Sequence, residues 1–397
     1  MLSFFRKKRI YLDYAGATPV LPEAERAEVE ASRFLGNPGA IHTEGVLAKQ
    51  KLDSARETLA RALGCKAREL IFTSGGTEAN NLALLGAFKK IVLAGLGRAG
   101  KKPSETHWIV SAIEHASVLE CFDHIAEMGG IVSKINPDSR GLITVEAIQK
   151  ELRKETVLVS IGWANNEIGT AQPLQHISQM LRTHEMKHGT KIIFHTDAGQ
   201  APLYLSPQVN TLGVDLFVLD SGKLYGPRGV GCLYLSNRAE LAPMILGGGQ
   251  ERGLRSGTEN VALAAGFAKA FEIISSERKM ESVRLQKLRD NLAQEIVGRI
   301  PGALINGDLK YVLPHILNIS IPSKQNGEYV ALTLDHAGVA VATKSACREG
   351  DGKSAVVAAL GGEKWRAENT LRISLGRDTS LRDVRAVLGA LETFTSK

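Results

Sequence analysis

The chain has 397 residues, a length at which one large and one smaller domain are expected rather than a single growing core. Hydrophobic residues make up 44% of the chain and charged residues 23%, which is ordinary for a soluble globular protein. No uncharged apolar stretch approaches the roughly 18 residues of a membrane helix, so the sequence predicts no membrane association.

The formal net charge is +7, but the basic residues are dispersed and form no recognised nucleic-acid motif. We therefore expect no direct nucleic-acid binding. The positive net charge is equally compatible with a cofactor phosphate or with acidic protein partners. The cysteines lack paired metal-ligand spacing and predict no metal site. In residues 1–9 the positive charges follow a very short apolar patch. A secretory signal has the opposite order, with the charges before the apolar segment. Because a protein of this size needs no disulfides, a reducing cytoplasm is the expected compartment.

Short apolar segments alternate with helical patterns, which is typical of βαβ units and predicts an α/β fold with a largely parallel sheet. The predicted strands cover residues 69–73, 107–111, 157–163, 191–196 and 215–219. Polar or glycine residues follow each of them, namely Gly76 and Thr77, Glu114 and His115, Asn165 and Asn166, Asp197, and Lys223. In open α/β sheets ligands bind beyond the carboxyl ends of the strands, so these five ends predict one shared crevice.

Asp197 closes one predicted strand, and Lys223 follows the next strand 26 residues later. A lysine that forms a Schiff base and a carboxylate that keeps a ring nitrogen protonated are the minimal apparatus for holding pyridoxal phosphate. The pair therefore favours an enzyme with this cofactor. On pattern alone, another interpretation remains open, in which Asp197 caps a helix and Lys223 is a surface lysine.

Two further positions suit such a cofactor. Gly75 and Gly76 lead into Thr77 and a predicted helix, whose unpaired amides would attract a phosphate. A glycine turn with a capping threonine also precedes many helices, so this pattern is weak by itself. His115 would stack on the cofactor ring and shuttle protons near neutral pH if it lay over the ring. An isolated histidine is otherwise more often structural.

The pattern changes from about Val261 to a long charged helix ending near Arg299, with a strand-like segment at residues 316–321. We predict a large domain at residues 15–262 and a small α+β domain at residues 263–397, joined by residues 1–14. Within the small domain, Cys347 is a thiol among cations on a glycine-bearing loop, the surroundings of a plausible nucleophile.

Taken together, these segments resemble the cysteine desulfurases of the class V aminotransferase family, in the group of the NifS and IscS enzymes. The matching motifs, in chain order, are YLDYAGATP at 11–19, GNP at 36–38 with His42, FTSGGTE at 72–78, EH at 114–115, NNEIG at 165–169, DAGQ at 197–200, KLYGP at 223–227, GGGQERGLRSGT at 247–258, SAC at 345–347 and LRISLGR at 371–377. The resemblance implies a fold-type I pyridoxal-phosphate enzyme. It also implies a homodimer with active sites at the subunit interface, and conversion of L-cysteine to L-alanine with a persulfide left on the protein.

The resemblance also implies roles for individual residues. Lys223 would hold the cofactor covalently and remove the α-proton, and Cys347 would attack the substrate sulfur. His115 would stack on the cofactor and act as an acid or base. The remaining contacts would be Asp197 to the ring nitrogen, Gln200 to the phenolic oxygen, Gly76 and Thr77 to the phosphate, Thr258 to the phosphate of the other subunit, and Asn166 and Arg372 to the substrate carboxylate.

Two positions depart from the family pattern. The usual Ser-Gly-His before the lysine is replaced by Asp220, Ser221 and Gly222, which puts an acid where a phosphate is expected. Either Ser221 supplies the missing hydroxyl or the phosphate depends more on Thr77, Thr258 and helix amides. Lys344 stands where glycine is more usual in the family. Either it lowers the pKa of the Cys347 thiol, or it is simply a solvated charge on the loop.

Two other functions remain open on the sequence. One is a different reaction on the same scaffold, such as an aminotransferase or a selenocysteine lyase, in which Cys347 is incidental. The other is a cofactor-poor, desulfurase-like scaffold that binds sulfur-transfer partners. For a desulfurase, the sulfur acceptor would be a protein of iron-sulfur cluster assembly or of tRNA thiolation, and the sequence does not distinguish these.

Overall fold

The computed structural model describes residues 9–92, 100–344 and 352–395. Within these ranges the strands are β1 Ile10–Tyr11, β2 Leu70–Thr73, β3 His107–Ser111, β4 Ile131–Ile135, β5 Thr156–Ser160, β6 Ile193–Asp197, β7 Leu216–Asp220, β8 Gly231–Leu235, β9 Leu304–Ile305, β10 Ile316–Ser320, β11 Val339–Ala340 and β12 Thr370–Ser374. The helices are α1 Pro22–Ala31, α2 Thr43–Leu63, α3 Gly76–Val92, α4 Ala116–Glu127, α5 Val145–Glu151, α6 Leu174–His188, α7 Val209–Leu212, α8 Val261–Arg299, α9 Gly327–His336, α10 Ala355–Ala359, α11 Lys364–Glu368 and α12 Leu381–Thr395.

The central sheet has the strand order β2-β8-β7-β6-β5-β3-β4. Strands β7, β6, β5, β3 and β4 pair in parallel, and β8 runs antiparallel to both of its neighbours. The predicted α/β fold with a mostly parallel sheet is therefore confirmed. The parallel order also brings the carboxyl ends of β3, β5, β6 and β7 to one edge.

The apolar runs of the sequence arise because both faces of the sheet are covered. In β7, Phe217 and Leu219 belong to one apolar cluster, and Leu216 and Val218 belong to another. Successive side chains of a strand point to opposite faces, so a strand buried on both faces is apolar at nearly every position. Only the last residue of β7, Asp220, is partly exposed.

The C-terminal part is organised around the 39-residue helix α8. Asn260 caps α8 by accepting a hydrogen bond from the backbone N–H of Leu263 at 3.0 Å. A three-stranded antiparallel sheet has the order β12-β10-β9, and β1 pairs in parallel with β11. The N-terminal strand thus contacts the C-terminal part, in line with the predicted grouping of residues 1–14 with 263–397. The domain division itself stays a prediction.

The structure places the key strand ends with small shifts from the sequence. Asp197 is the last residue of β6 rather than the first residue beyond it. Lys223 ends a single 3-10 turn, Ser221–Lys223, that follows β7 directly. Helix α8 ends at Arg299, as predicted. Among the described residues, no helix is long and apolar enough to cross a membrane, and no group of His, Cys, Asp and Glu is arranged to hold a metal ion.

Candidate active site

A cavity of about 200 Å³ lies at the carboxyl ends of the parallel strands. Residues that follow all five predicted strands line it, which confirms the predicted crevice. The sequence-predicted residues that the structure brings together here are Gly76, Thr77, His115, Asn166, Asp197, Gln200, Lys223 and Arg372. Glu114, Asn80, Ser117 and Asp220 also line it.

Both carboxylate oxygens of Asp197 are fixed by N–H donors. One accepts a hydrogen bond from the backbone of Gly199 at 2.9 Å, and the other accepts one from the side chain of Asn80 at 2.7 Å. Asn80 is fully buried in α3 and also donates to the hydroxyl of Ser117 at 3.0 Å. Asp197 therefore presents a fixed negative charge to the cavity. Sequence reasoning did not identify Asn80, because it lies 117 residues from its partner.

His115 caps α4 and is oriented by the residues that follow it. Its Nδ1 accepts a hydrogen bond from the backbone N–H of Ser117 at 3.2 Å, and the Ser117 hydroxyl lies 2.8 Å away. Because Nδ1 is an acceptor in this arrangement, the neutral ring carries its hydrogen on Nε2. The capping bond fixes the ring at the cavity wall.

Lys223 and Gln200 contact the N-terminal segment across the cavity. The Lys223 ammonium donates to the carbonyl of Gly16, and the Gln200 amide nitrogen donates to the carbonyl of Ala15 at 2.9 Å. The Gln200 oxygen lies 3.3 Å from Nε2 of His315. Burial, with the nearby arginines, lowers the pKa of His315 to about 3, so the ring is neutral. His315 thus sets the orientation of the Gln200 amide.

Arg372 is an almost fully buried cation, 2% exposed, with two partners. Its guanidinium donates to the backbone carbonyl of Asn166 at 3.0 Å and to the carboxylate of Asp13 at 2.6 Å. A buried guanidinium fork is suited to binding a carboxylate. Asp13 was not identified from the sequence, although it lies in the motif at residues 11–19.

Glu114 is a buried acid next to the cavity. Its carboxyl accepts a hydrogen bond from the backbone N–H of Gly162 at 2.8 Å. Burial raises the pKa of Glu114 to about 8, and the negative charge of Asp197 adds to the effect. The carboxyl is therefore mostly protonated at neutral pH, and the site carries less negative charge than its sequence suggests.

Within the cavity lining, the N-terminus of α3 faces Asp220. One Asp220 oxygen accepts from the backbone N–H of Gly76, the first residue of α3, at 3.2 Å. The other oxygen accepts from Gly222 at 2.9 Å. Ser221 does not line the cavity, because its hydroxyl packs against Gly226, where a Cβ atom would come within 2.2 Å. Its predicted contact with a phosphate gains no support from this placement.

Thr258, like Ser221, is a predicted site residue that does not line this cavity. Thr258 is exposed in the segment before α8, which leaves it accessible to a second subunit. Cys347 lies outside the described residues. The chain before it is tied to the site because Ala342 pairs with Arg372, and Lys344 forms an ion pair with Glu328 at 3.3 Å.

The chain after Cys347 is tied to the same region. The hydroxyl of Ser354 donates to Glu167 at 2.6 Å, and Glu167 is adjacent in sequence to the cavity residue Asn166. Ser354 also caps α10 by accepting from the backbone of Val357 at 3.0 Å. Both flanks of residues 345–351 therefore connect to elements that form the cavity.

Comparison with known proteins agrees with this geometry. The family model described as Aminotransferase class-V matches residues 10–387. The chain is 38% identical over 393 residues to "Cysteine desulfurase IscS" of Dictyoglomus turgidum, covering 98% of this chain and 95% of the relative.

Solved structures give the same result. A "NifS-like protein" superposes with a TM-score of 0.88 at 31% identity, covering 98% of this chain and 99% of the other. A structure described as "SspA in complex with cysteine" superposes with a TM-score of 0.77 at 32% identity, covering 92% and 98%. The chain belongs to the class V aminotransferase family.

Proposed function

We propose that the protein is a cysteine desulfurase that uses pyridoxal 5'-phosphate to convert L-cysteine to L-alanine, leaving the sulfur on Cys347 as a persulfide. The observation that carries this proposal is the single cavity that Asp197, Lys223 and Arg372 share. The relatives named cysteine desulfurase match this chain over nearly its whole length. These relatives do not better support a class V aminotransferase acting on another substrate, a selenocysteine lyase or a cofactor-poor scaffold.

The residues at the ring end of the cavity fit the cofactor. Asp197, with both oxygens fixed, would hold the ring nitrogen protonated, and Gln200 has a second amide hydrogen for the phenolic oxygen. His115 lies at the cavity wall, where it would stack on the ring, and Lys223 would supply the amine that holds the aldehyde carbon. When bound, the cofactor supplies an electron sink for the bond changes at the substrate Cα. The phosphate end fits less well, because Asp220 occupies it.

Other steps of the proposed reaction are assigned to individual side chains of the protein. Arg372 binds the substrate carboxylate with its fork, and Asn166 lies beside it. Lys223 removes the α-proton, and His115 is placed to hold or release a proton near the cofactor. The thiolate of Cys347 takes the substrate sulfur, so that L-cysteine and one protein thiol give L-alanine and one protein persulfide. The C–S bond of the substrate breaks, and an S–S bond forms on the protein.

The described residues on either side of residues 345–351 support this role of Cys347. Ala342 pairs with Arg372, and Ser354 donates to Glu167 beside the cavity residue Asn166. The glycines at positions 350 and 352 suit a loop that reaches the cofactor and then a sulfur acceptor. The proposed acceptors are proteins of iron-sulfur cluster assembly or tRNA thiolation. A reducing compartment such as the cytoplasm would keep the thiol available.

A homodimer is the proposed assembly. Leu35, Ile41 and Leu246 are 90%, 99% and 75% exposed, and an interface with a second copy would bury such side chains. Thr258 is exposed as well, so it is available to contact the phosphate in the partner's site. These features support the dimer with shared active sites that the family resemblance implies.

The proposal is tested by measuring alanine and protein-bound persulfide after incubation with L-cysteine. Wild type should form both in equal amounts in a single turnover. The Cys347→Ser variant should bind the cofactor and respond spectrally to cysteine, yet form neither product. Cys65→Ser is the matched control, because Cys65 is a half-buried thiol whose pKa burial raises to about 12. Full desulfuration by Cys347→Ser would show that the nucleophile lies elsewhere.

A further inference from the structure

The carboxylate of Asp220 lies at the N-terminus of α3, inside the cavity. It accepts backbone hydrogen bonds from Gly76 at 3.2 Å and from Gly222 at 2.9 Å. The contact with α3 is close, because a Cβ atom built on Gly76 would lie 3.2 Å from the same Asp220 oxygen. Asp220 therefore already binds one of the amides that a helix N-terminus offers to an anion.

The hydrogen-bond donors that contact the Asp220 carboxylate are these two backbone amides. Among the described residues, no lysine, arginine or histidine forms an ion pair with it. Arg228 packs with its aliphatic part against Gly222, and Lys223 donates to the carbonyl of Gly16 instead. The partial positive charge at the start of α3 thus attracts the carboxylate.

A phosphate bound at the same helix end would meet this carboxylate. Both groups are anions and both need the Gly76 amide, so they cannot occupy the position together without strong repulsion. The aldehyde and ring of the cofactor would depend on other lining residues, Lys223 and Asp197. The conflict therefore concerns the phosphate alone.

We propose that Asp220 is an internal competitor for the cofactor phosphate, and that it lowers the protein's preference for pyridoxal phosphate over unphosphorylated pyridoxal. Without cofactor, the carboxylate caps α3 and stabilises that helix end. With cofactor, it turns away and leaves the amide to the phosphate. This inference rests on the proposed cofactor and concerns only how strongly the phosphate is held.

The test compares two ligands that differ only in the phosphate. Full-length wild type and Asp220→Asn are depleted of cofactor and titrated with pyridoxal phosphate and with pyridoxal, followed by absorbance. The asparagine removes the negative charge and adds an N–H donor for the phosphate. A hydrogen bond to a charged group corresponds to about tenfold to a hundredfold in affinity, so pyridoxal phosphate should bind at least about tenfold more tightly to the variant. Pyridoxal should bind both proteins within about twofold.

Asp138→Asn is the matched control. Asp138 also accepts a backbone hydrogen bond from the residue two positions ahead, Arg140 at 2.9 Å, but it does not line the cavity. This variant should change neither dissociation constant. Unchanged or weaker binding of pyridoxal phosphate to Asp220→Asn would overturn the proposal, as would equal tightening of both ligands.

A second measurement compares the thermal stability of wild type and Asp220→Asn, with and without inorganic phosphate. Without cofactor, Asp220→Asn should unfold at a lower temperature than wild type because the cap on α3 is weakened, and inorganic phosphate should restore part of that loss. Wild type should gain less from inorganic phosphate. Equal stabilisation of both proteins by phosphate would contradict competition at this position. If folded wild type binds neither pyridoxal phosphate nor pyridoxal, the cofactor assignment itself is wrong. That outcome differs from failure of the present proposal, in which both ligands bind but Asp220 does not affect the preference between them.

Discussion

Asp13 and Arg372 form an ion pair with a nitrogen-oxygen distance of 2.6 Å, although 359 residues separate them in the chain. The Arg372 side chain is 2% exposed and that of Asp13 is 30% exposed, so the pair lies at the edge of the cavity. The proposed receptor for the substrate carboxylate therefore already holds a carboxylate of the protein. Asp13 both neutralises Arg372 and links the N-terminal segment to β12.

Replacing Asp13 with asparagine should destabilise the folded protein. The variant leaves a buried guanidinium without its anionic partner, which costs about 1–3 kcal/mol of unfolding free energy. Urea denaturation of wild type and variant measures the difference. Asp335→Asn is the control, because Asp335 pairs with Arg9 on the surface and should contribute no more than about 1 kcal/mol. Equal effects of the two substitutions would show that burial of Arg372 does not depend on Asp13.

Lys223→Ala should abolish turnover and remove the visible absorption of the bound cofactor. Lys223 is the lysine that lines the cavity among the described residues, so no neighbouring amine there replaces it. Absorption spectra and alanine formation measure the two effects. The exposed Lys187 in α6 provides the control, and Lys187→Ala should retain both properties. A normal spectrum and normal turnover in Lys223→Ala would refute the assignment.

Glu114 predicts a pH dependence of stability. Burial raises the pKa of this carboxyl from 4.5 to about 8. Below pH 4.5 the group is protonated in both folded and unfolded chains. Between about pH 4.5 and 8 it is protonated only when folded, so the unfolded state binds fewer protons and stability falls as pH rises. Above pH 8 the loss from this group is complete.

Glu114→Gln should remove this dependence, because the amide stays neutral and still accepts the hydrogen bond from Gly162. Relative to the variant, wild type should lose up to roughly 4 kcal/mol between pH 5 and pH 8. Denaturant unfolding at several pH values measures the difference. Glu127→Gln is the control, since Glu127 is 77% exposed on α4. Parallel pH profiles for wild type and Glu114→Gln would rule out a raised pKa.

The sequence predicted the location of a residue where a strand end positions it, and its role in the site stays a prediction. Asp197 and Lys223 follow buried apolar runs, and the carboxyl ends of parallel strands meet at one edge, so local pattern determined their place. Asn80, His315 and Asp13 were missed because each acts through a partner more than 100 residues away. Their positions depend on tertiary packing. The departure at Asp220 was visible in the sequence, but its hydrogen bond to Gly76 requires the structure.

The proposed shared active site predicts complementation between two defective chains. If Thr258 contacts the phosphate in the partner's site, a hybrid of Thr258→Ala and Lys223→Ala chains carries both lesions in one site and none in the other. Chains with different affinity tags should be co-expressed, and the hybrid isolated by tandem purification. The hybrid should recover partial activity, whereas Lys223→Ala homodimers purified in the same way should have none. An inactive hybrid of demonstrated composition would mean that Thr258 and Lys223 of one chain serve the same site.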